Sequence, residues 1–206
     1  MPSTPSGPAP ARRRASTLRR LLGTLAAALL LPLLIVAGGA RTEAVAVASA
    51  AEPTREYLIK AAFLYNFAKF TEWPKGAFAG ASTSLQVCVL GEDPFGPALE
   101  SIAGKPINGR IVVVRRVGSI GAARPCHMVF VSASEEARLT SILETLGARP
   151  ILTVADMPNF ARAGGIINLK TNDEDKLRFE INVRTARRAG LKLSSKLLNL
   201  AELTPN

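Results

Sequence analysis

The sequence of 206 residues contains one histidine, two cysteines and few aromatic residues, which make up 5% of it. It has no G-x-S-x-G turn, no H-E-x-x-H helix and no set of His, Cys and carboxylate side chains at metal-ligand spacing. The histidine, His127, directly follows Cys126, and a disulfide at Cys126 would leave no thiolate for a Cys–His pair. We therefore expect no catalytic residues, no metal and no cofactor, and we interpret His127 as a packed strand residue.

Phosphate, calcium and nucleic-acid motifs are also missing. The run GEDPFG at Gly91–Gly96 has two acidic residues and a proline in place of G-x-G-x-x-G or a Walker lysine, and carboxylates there repel phosphate. The acidic run Asp173–Asp175 has neither the alternation nor the glycine of an EF-hand, so we interpret it as a solvated turn. Arg115 and Arg116 have no neighbouring aromatic platform for bases, and we expect no nucleic-acid partner.

Residues 1–50 have the pattern of an export signal. Five arginines precede the uncharged run Leu21–Ala40, and small-x-small sites such as Ala48–Ala50 end the segment. The run is long enough for an uncleaved membrane anchor, which is the alternative, but Pro32 and the alanine-rich tail favour cleavage. Either way, residues 51–206 lie beyond the inner membrane as one domain, and we expect a periplasmic protein.

Half of the net charge of +10 belongs to the export signal. Residues 51–206 retain 20 of the 26 basic and 15 of the 16 acidic side chains, a net charge of +5. Short basic clusters lie at Arg115–Arg116 and at Arg184, Arg187 and Arg188. We interpret them as solvated surface, with an anionic partner as the alternative.

The two cysteines, Cys88 and Cys126, agree with an oxidising compartment, where a structural disulfide is the favoured state. Two buried free thiols or a redox-active pair are the alternatives, although the C-x-x-C spacing of a redox motif is absent.

Periodicity and turn residues predict an α/β fold. A first helix is expected over Thr54–Trp73, with Ile59, Phe63, Phe67 and Phe70 on one apolar stripe. Strands separated by helical segments then imply a mostly parallel sheet with βαβ units in a compact three-layer domain. The predicted strands are Leu85–Leu90, Arg110–Val117, Cys126–Ser132 and Ile151–Val154, with a short helix near Pro94–Ile102 and a longer one over Glu135–Leu146.

The C-terminal part has a different pattern. Strands Ile166–Lys170 and Lys176–Val183 flank a polar turn and predict an antiparallel hairpin. Two terminal helices follow, the first starting at Asn182 or Thr185 and the second capped by Ser194. In a sheet whose first three strands have the order 2-1-3, Cys88 and Cys126 lie on neighbouring strands, within reach of a disulfide.

Arg178, Glu180 and Asn182 alternate with apolar residues and share one face of the last predicted strand. This is typical of a solvated sheet face, but the same three side chains are also suited to directional contacts with a partner. Asp156 follows the fourth strand, where α/β folds place ligand-facing loops, although a turn or capping role explains it equally well.

Five blocks of this sequence resemble the YfiR family, in the family's order. They are KAAFLYNFAKFTEWP (Lys60–Pro74), VCVLGEDPFG (Val87–Gly96), CHMVFVS (Cys126–Ser132), LTVADMPNFARAGGIINL (Leu152–Leu169) and RFEINVRTARRAGLKLSSKLLNLA (Arg178–Ala201). The resemblance implies a compact α/β domain and matches Cys88 and Cys126 to the family's disulfide pair. Some members have a second disulfide in the loop after the fourth strand, where this chain has no cysteine.

Characterised members of the YfiR family restrain a membrane-bound diguanylate cyclase from the periplasm and are released by an outer-membrane lipoprotein. The resemblance therefore implies a non-enzymatic regulator of a membrane cyclase or sensor kinase. We expect it to dock through the hairpin that contains Arg178, Glu180 and Asn182, together with the C-terminal helices. The alternative is a periplasmic small-molecule sensor or binding module, with the Asp156 loop and Arg178 lining a pocket. A homodimer is compatible with either hypothesis.

Overall fold

A computed structural model of the chain describes residues 54–80, 83–147, 149–172 and 176–204. The export signal predicted over residues 1–50 and the acidic run Asp173–Asp175 lie outside these ranges. Within them, no helix is long and apolar enough to cross a membrane.

The helices and strands follow the predicted alternation. Their order is α1 (Arg55–Lys69), β1 (Thr71–Glu72), β2 (Leu85–Leu90), a 3₁₀ helix (Gly96–Ser101), β3 (Pro106–Ile107), β4 (Arg110–Val117), α2 (Ile120–Ala123), β5 (Met128–Val131), a 3₁₀ helix (Ala133–Arg138), α3 (Leu139–Leu146), β6 (Leu152–Ala155), β7 (Ile167–Thr171), β8 (Leu177–Ile181), α4 (Val183–Arg188), β9 (Lys192–Leu193), α5 (Ser195–Leu198) and β10 (Glu202–Leu203).

An eight-stranded sheet organises the domain, in the order β10-β8-β7-β6-β5-β2-β4-β3. Strands β4, β2, β5, β6 and β7 are mutually parallel, whereas β7 and β8 form the predicted antiparallel hairpin. The order β4-β2-β5 is the predicted 2-1-3 arrangement. The α/β class and the mostly parallel sheet are therefore confirmed.

Two apolar clusters cover the two faces of the sheet. Val87 and Val89 pack with α1 on one face, and Cys88 and Leu90 pack with α3 on the other, as expected when successive side chains of a strand alternate. Cys88 is joined to Cys126, and their Cα atoms are 6.1 Å apart. Cys126 itself precedes β5, because the strand predicted over Cys126–Ser132 comprises only Met128–Val131.

The first helix ends earlier than predicted. It stops at Lys69 because Thr71 and Glu72 pair with Leu193 and Lys192 in a separate two-stranded sheet, so the expectation of helix up to Trp73 was wrong. Its buried face also differs from the predicted stripe, since Ile59 is exposed whereas Leu64, outside the stripe, is fully buried.

The C-terminal caps agree with the sequence. Asn182 caps α4 and Ser194 caps α5, each by accepting a hydrogen bond from the backbone N–H three residues later. The remaining differences are small: the segment near Pro94–Ile102 is a 3₁₀ helix, the segment Glu135–Leu146 begins as 3₁₀ and continues as α3, and β8 ends at Ile181 instead of Val183.

Candidate functional site

Asp156 and Glu180, 24 positions apart in the chain, line one groove of about 490 Å³ beside the hairpin. We call it the strand-edge groove. Its polar lining consists of Asp156, Asn159, Arg162, Asn168, Lys170, Thr171 and Glu180. Asp156 follows β6, and the other members come from the loop after it, from β7 and from β8. The structure thus brings the predicted ligand residue and one predicted partner residue together.

The strand register explains which side chains face this groove. Glu180 pairs with Asn168 of β7 on one side and with Glu202 of β10 on the other, and residues directly opposite in a sheet share a face. The neighbouring pair Leu169 and Phe179 points the other way, into the cluster under α1. The hairpin therefore has an apolar inner face and a charged face formed by Asn168, Lys170, Arg178 and Glu180, which Glu202 of β10 extends.

Glu180 has one long ion contact on the charged face. Its side chain is 13% exposed, and its Oε1 lies 3.9 Å from Nε of Arg162, whose own side chain is 65% exposed. That separation is at the outer limit of an ion pair and is too long for a hydrogen bond. The carboxylate of Glu180 is therefore available for a shorter contact with a cation from outside.

The other two predicted partner residues differ from each other. Arg178 is exposed on the charged face, opposite Lys170. Asn182 has structural contacts at both ends of its amide: Nδ2 donates to the carbonyl of Ala161 over 2.8 Å, and Oδ1 accepts from the backbone N–H of Thr185 over 2.9 Å. The side chain of Asn182 thus holds the loop after β6 against the start of α4.

Asp156 is paired within the domain. Its Oδ2 accepts a hydrogen bond of 2.6 Å from Nζ of Lys60 and one of 3.4 Å from the hydroxyl of Tyr57. Burial and the charge of Asp156 raise the pKa of the Tyr57 phenol. Burial lowers the pKa of Lys60, but hydrogen bonds to Asp156 and Glu56 outweigh it, and the net shift is upward. Asp156 therefore faces the groove as half of an ion pair.

Asn168 was not identified from the sequence. It is buried in β7, and its Oδ1 has no hydrogen-bond partner among the described residues. An unpaired buried amide oxygen costs free energy, so this atom is suited to a donor supplied by a water or a ligand in the groove. A polar residue inside the apolar run Ile166–Leu169 was the sequence signal for it.

A second concave site lies next to the strand-edge groove and shares Arg162 with it. Its volume is about 760 Å³, and we call it the arginine cleft. Its lining residues are Arg162, Asn182, Val183, Arg184, Arg187, Arg188, Leu203 and Thr204. In the described part of the chain, no group of three or more His, Cys, Asp or Glu residues is arranged to hold a metal ion.

Comparison with known proteins adds a family and a fold. The profile of the YfiR/HmsC-like family matches residues 57–202. A conserved domain protein from Vibrio cholerae O1 biovar eltor has a similar structure, with a TM-score of 0.50, 10% identity, and coverage of 72% of this chain and 60% of that chain. The present chain thus spans less than two thirds of that structure, and identity this low shows the fold alone.

A second solved structure, the ABC domain in complex with L-Trp from Streptococcus pneumoniae, has a TM-score of 0.42, 10% identity, and coverage of 58% of this chain and 56% of that chain. The comparison with curated proteins gave no match.

Proposed function

Because this chain belongs to the YfiR/HmsC-like family, we propose that it is a non-enzymatic periplasmic regulator that binds and represses the extracytoplasmic part of a membrane-bound diguanylate cyclase. The family match over residues 57–202 is the observation that carries this proposal. The proposal includes the export signal over residues 1–50 and release by an outer-membrane lipoprotein, as in characterised members of the YfiR family. The partner class includes sensor kinases with an extracytoplasmic segment.

The charged face of the hairpin supports a docking role. Glu180 combines partial exposure with a weak internal contact, and the exposed Arg178 lies two residues away on the same face. A partner cation at hydrogen-bond distance from Glu180 would gain a charge-assisted contact that Arg162, at 3.9 Å, does not make. Asn182 contributes indirectly, because it orders the loop that carries Arg162.

A charge reversal tests this docking face. The tagged full chain is expressed in its own bacterium, crosslinked outside the inner membrane and purified, and captured proteins are identified by mass spectrometry. We expect the parent chain to capture a membrane cyclase or kinase. Glu180→Lys should lose that capture and raise cellular cyclic-di-GMP. Glu136→Lys is the matched control, because it reverses one exposed carboxylate in the 3₁₀ helix before α3 and should change neither readout.

Unfolding of the Glu180 variant would mimic lost docking, so thermal unfolding of each variant is measured. The double variant R162E/E180R keeps a pair of opposite charges and reverses both. It should fold normally and still lose capture. Capture that survives both the Glu180→Lys and the R162E/E180R changes would contradict docking at this face.

The strand-edge groove favours a second candidate, a periplasmic small-molecule binding module. The groove contains Asp156 and the unpaired Oδ1 of Asn168 beside a volume of about 490 Å³, which is within the usual range of ligand sites. Saturable binding of a small molecule by the chain alone, lost in Asn168→Leu and without capture of a membrane protein, would favour this candidate over the regulator.

A further inference from the structure

The arginine cleft has a charge arrangement that neither the fold nor the proposed docking face requires. Four arginines line it, and no acidic residue does so among the described residues. Arg184, Arg187 and Arg188 lie on α4 at spacings of three and four residues, so they share one side of the helix. Arg162 comes from the loop between β6 and β7, more than 20 positions earlier. Cations from two separate elements therefore converge on one concave surface.

Internal contacts leave most of this charge uncompensated. Within the described ranges, Arg184 and Arg187 form no ion pair, and the only one made by Arg162 is the 3.9 Å contact with Glu180. Arg188 donates to the Oγ1 of Thr185 over 3.0 Å, which is a neutral acceptor. Like charges that line one cleft repel one another, and an anion placed between them would relieve that repulsion.

The chemistry of the lining indicates what kind of anion fits. A guanidinium has planar, paired N–H donors that match carboxylate and phosphate oxygens, and several guanidinium groups can bind several such oxygens at once. The volume of about 760 Å³ is that of a small-molecule site rather than of a single inorganic ion. Val183 and Leu203 add an apolar wall, and Leu203 is 55% exposed.

We propose that the arginine cleft binds a small organic molecule that carries two or more carboxylate or phosphate groups. Arg184 and Arg187 are its main anion-binding residues, since neither has another charge partner in the described part of the chain. This binding requires only the chain itself, so its test is independent of whether the chain captures a membrane enzyme.

Calorimetric titration of the purified full chain with pyrophosphate and with citrate tests the proposal. We expect saturable binding of one equivalent of at least one probe at physiological salt. The variant R184E/R187E should weaken this binding at least about tenfold, the loss expected when charge-assisted contacts are replaced by repulsion. R115E/R124E changes the net charge equally at two exposed arginines outside the cleft, and should keep the dissociation constant within about twofold.

Two outcomes would overturn the proposal. If neither probe binds saturably, or if R115E/R124E loses as much affinity as R184E/R187E, the cleft is only part of a general positive field. A phosphate can also belong to a lipid headgroup, so sedimentation with phosphatidylglycerol vesicles is measured in parallel. Vesicle binding that needs Arg184 and Arg187, without binding of either soluble probe, would assign the cleft to a membrane surface and exclude the small-molecule site. Thermal unfolding of both double variants verifies that each is folded.

Discussion

The Nζ of Lys60 lies 2.6 Å from the Oδ2 of Asp156, and this ion pair joins the first helix to the residue that follows β6. Lys60 is only 5% exposed, and its second carboxylate partner, Glu56, lies one helical turn earlier at 2.6 Å. Asp156 was predicted as a ligand residue from its position after a strand. Its contacts in the structure give it a structural role as well, since they fix α1 at the end of the sheet.

Removing the carboxylate of Asp156 should destabilise the domain. In Asp156→Ala the buried ammonium of Lys60 keeps the partly exposed Glu56 and the Tyr57 ring, whose centroid is 4.5 Å from Nζ, but breaking a buried pair on one side is costly. Because Glu56 remains, we expect a loss of about 2 kcal/mol in the free energy of unfolding, measured by urea denaturation. Glu56→Ala, which removes a side chain that is 53% exposed, should cost less than about 1 kcal/mol. Equal losses in the two variants would contradict this account.

The disulfide should contribute a large part of the stability. Cys88 and Cys126 are separated by 38 positions, and a crosslink of that span restricts the unfolded chain by about 4 kcal/mol in the chain-entropy model. We therefore expect C88A/C126A to unfold at a lower urea concentration than the parent chain. The parent chain with reductant should behave like the variant. Mass spectrometry of the unreduced protein should detect the crosslinked peptide, and two alkylatable thiols would refute the prediction.

His127 should make the domain less stable in mild acid. Its Nδ1 accepts a hydrogen bond from the backbone N–H of Gln86 over 3.0 Å, and its Nε2 lies 3.2 Å from the carbonyl of Ala77. A neutral ring with its proton on Nε2 can therefore make both hydrogen bonds. Burial lowers the pKa of His127; the Ala77 carbonyl opposes that shift and the charge of Arg110 adds to it.

A histidine with a lowered pKa in the folded state binds its proton more readily when unfolded. Its stabilising contribution is therefore complete above about pH 6.5 and is lost as the pH falls from there towards the folded pKa. His127 is the only histidine, so no other side chain has its ordinary pKa between pH 5.5 and 7.5. Urea unfolding should give a lower free energy at pH 5.5 than at 7.5, and His127→Gln should remove most of the difference. A parent chain equally stable at both values would contradict the assignment.

Gly165 should tolerate no side chain. A Cβ built on its backbone overlaps the ring of Phe160, which is fully buried under the loop after β6. Gly165→Ala should therefore cost about 1–3 kcal/mol in the free energy of unfolding, as overpacked cores do. Gly118→Ala is the control, because nothing lies within 4 Å of the added carbon, and it should change stability by less than about 0.5 kcal/mol. A normal thermal midpoint for Gly165→Ala would show that the Phe160 ring can move aside.

Local sequence signals predicted much of the fold. Strands β2 and β4 have the predicted bounds, because each is rich in valine and other apolar residues and is delimited by turn residues. The cap at Ser194 was also correct, and of the two predicted helix starts, Asn182 and Thr185, the structure has Asn182; a cap depends on residues only three positions away. The two-residue strands β1, β3, β9 and β10 were missed. Strand β3 is too short to show a pattern, and β1, β9 and β10 exist only through a distant partner; Thr71, for example, pairs with Leu193.

The candidate site was less predictable for the same reason. The alternation around Glu180 identified a polar strand face, and the position of Asp156 identified the loop after β6. Nothing in the sequence indicated that one groove joins them, or that Arg162 lies between this groove and the arginine cleft. That arrangement depends on the path of the loop from Asp156 to Gly165. Asn182, directly after β8, fixes this path by donating a hydrogen bond to the carbonyl of Ala161.

The two-stranded sheet of β1 and β9 also bears on how the chain reaches its native state. Thr71 pairs with Leu193, so the strand that follows the first helix cannot form its pairing until residues more than 120 positions later are present. β10, at Glu202–Leu203, completes one edge of the main sheet nearer still to the C-terminus. Closing such long loops before their contacts form is slow. A chain synthesised from its N-terminus would therefore stay incompletely folded until the segment around Leu193 had been made.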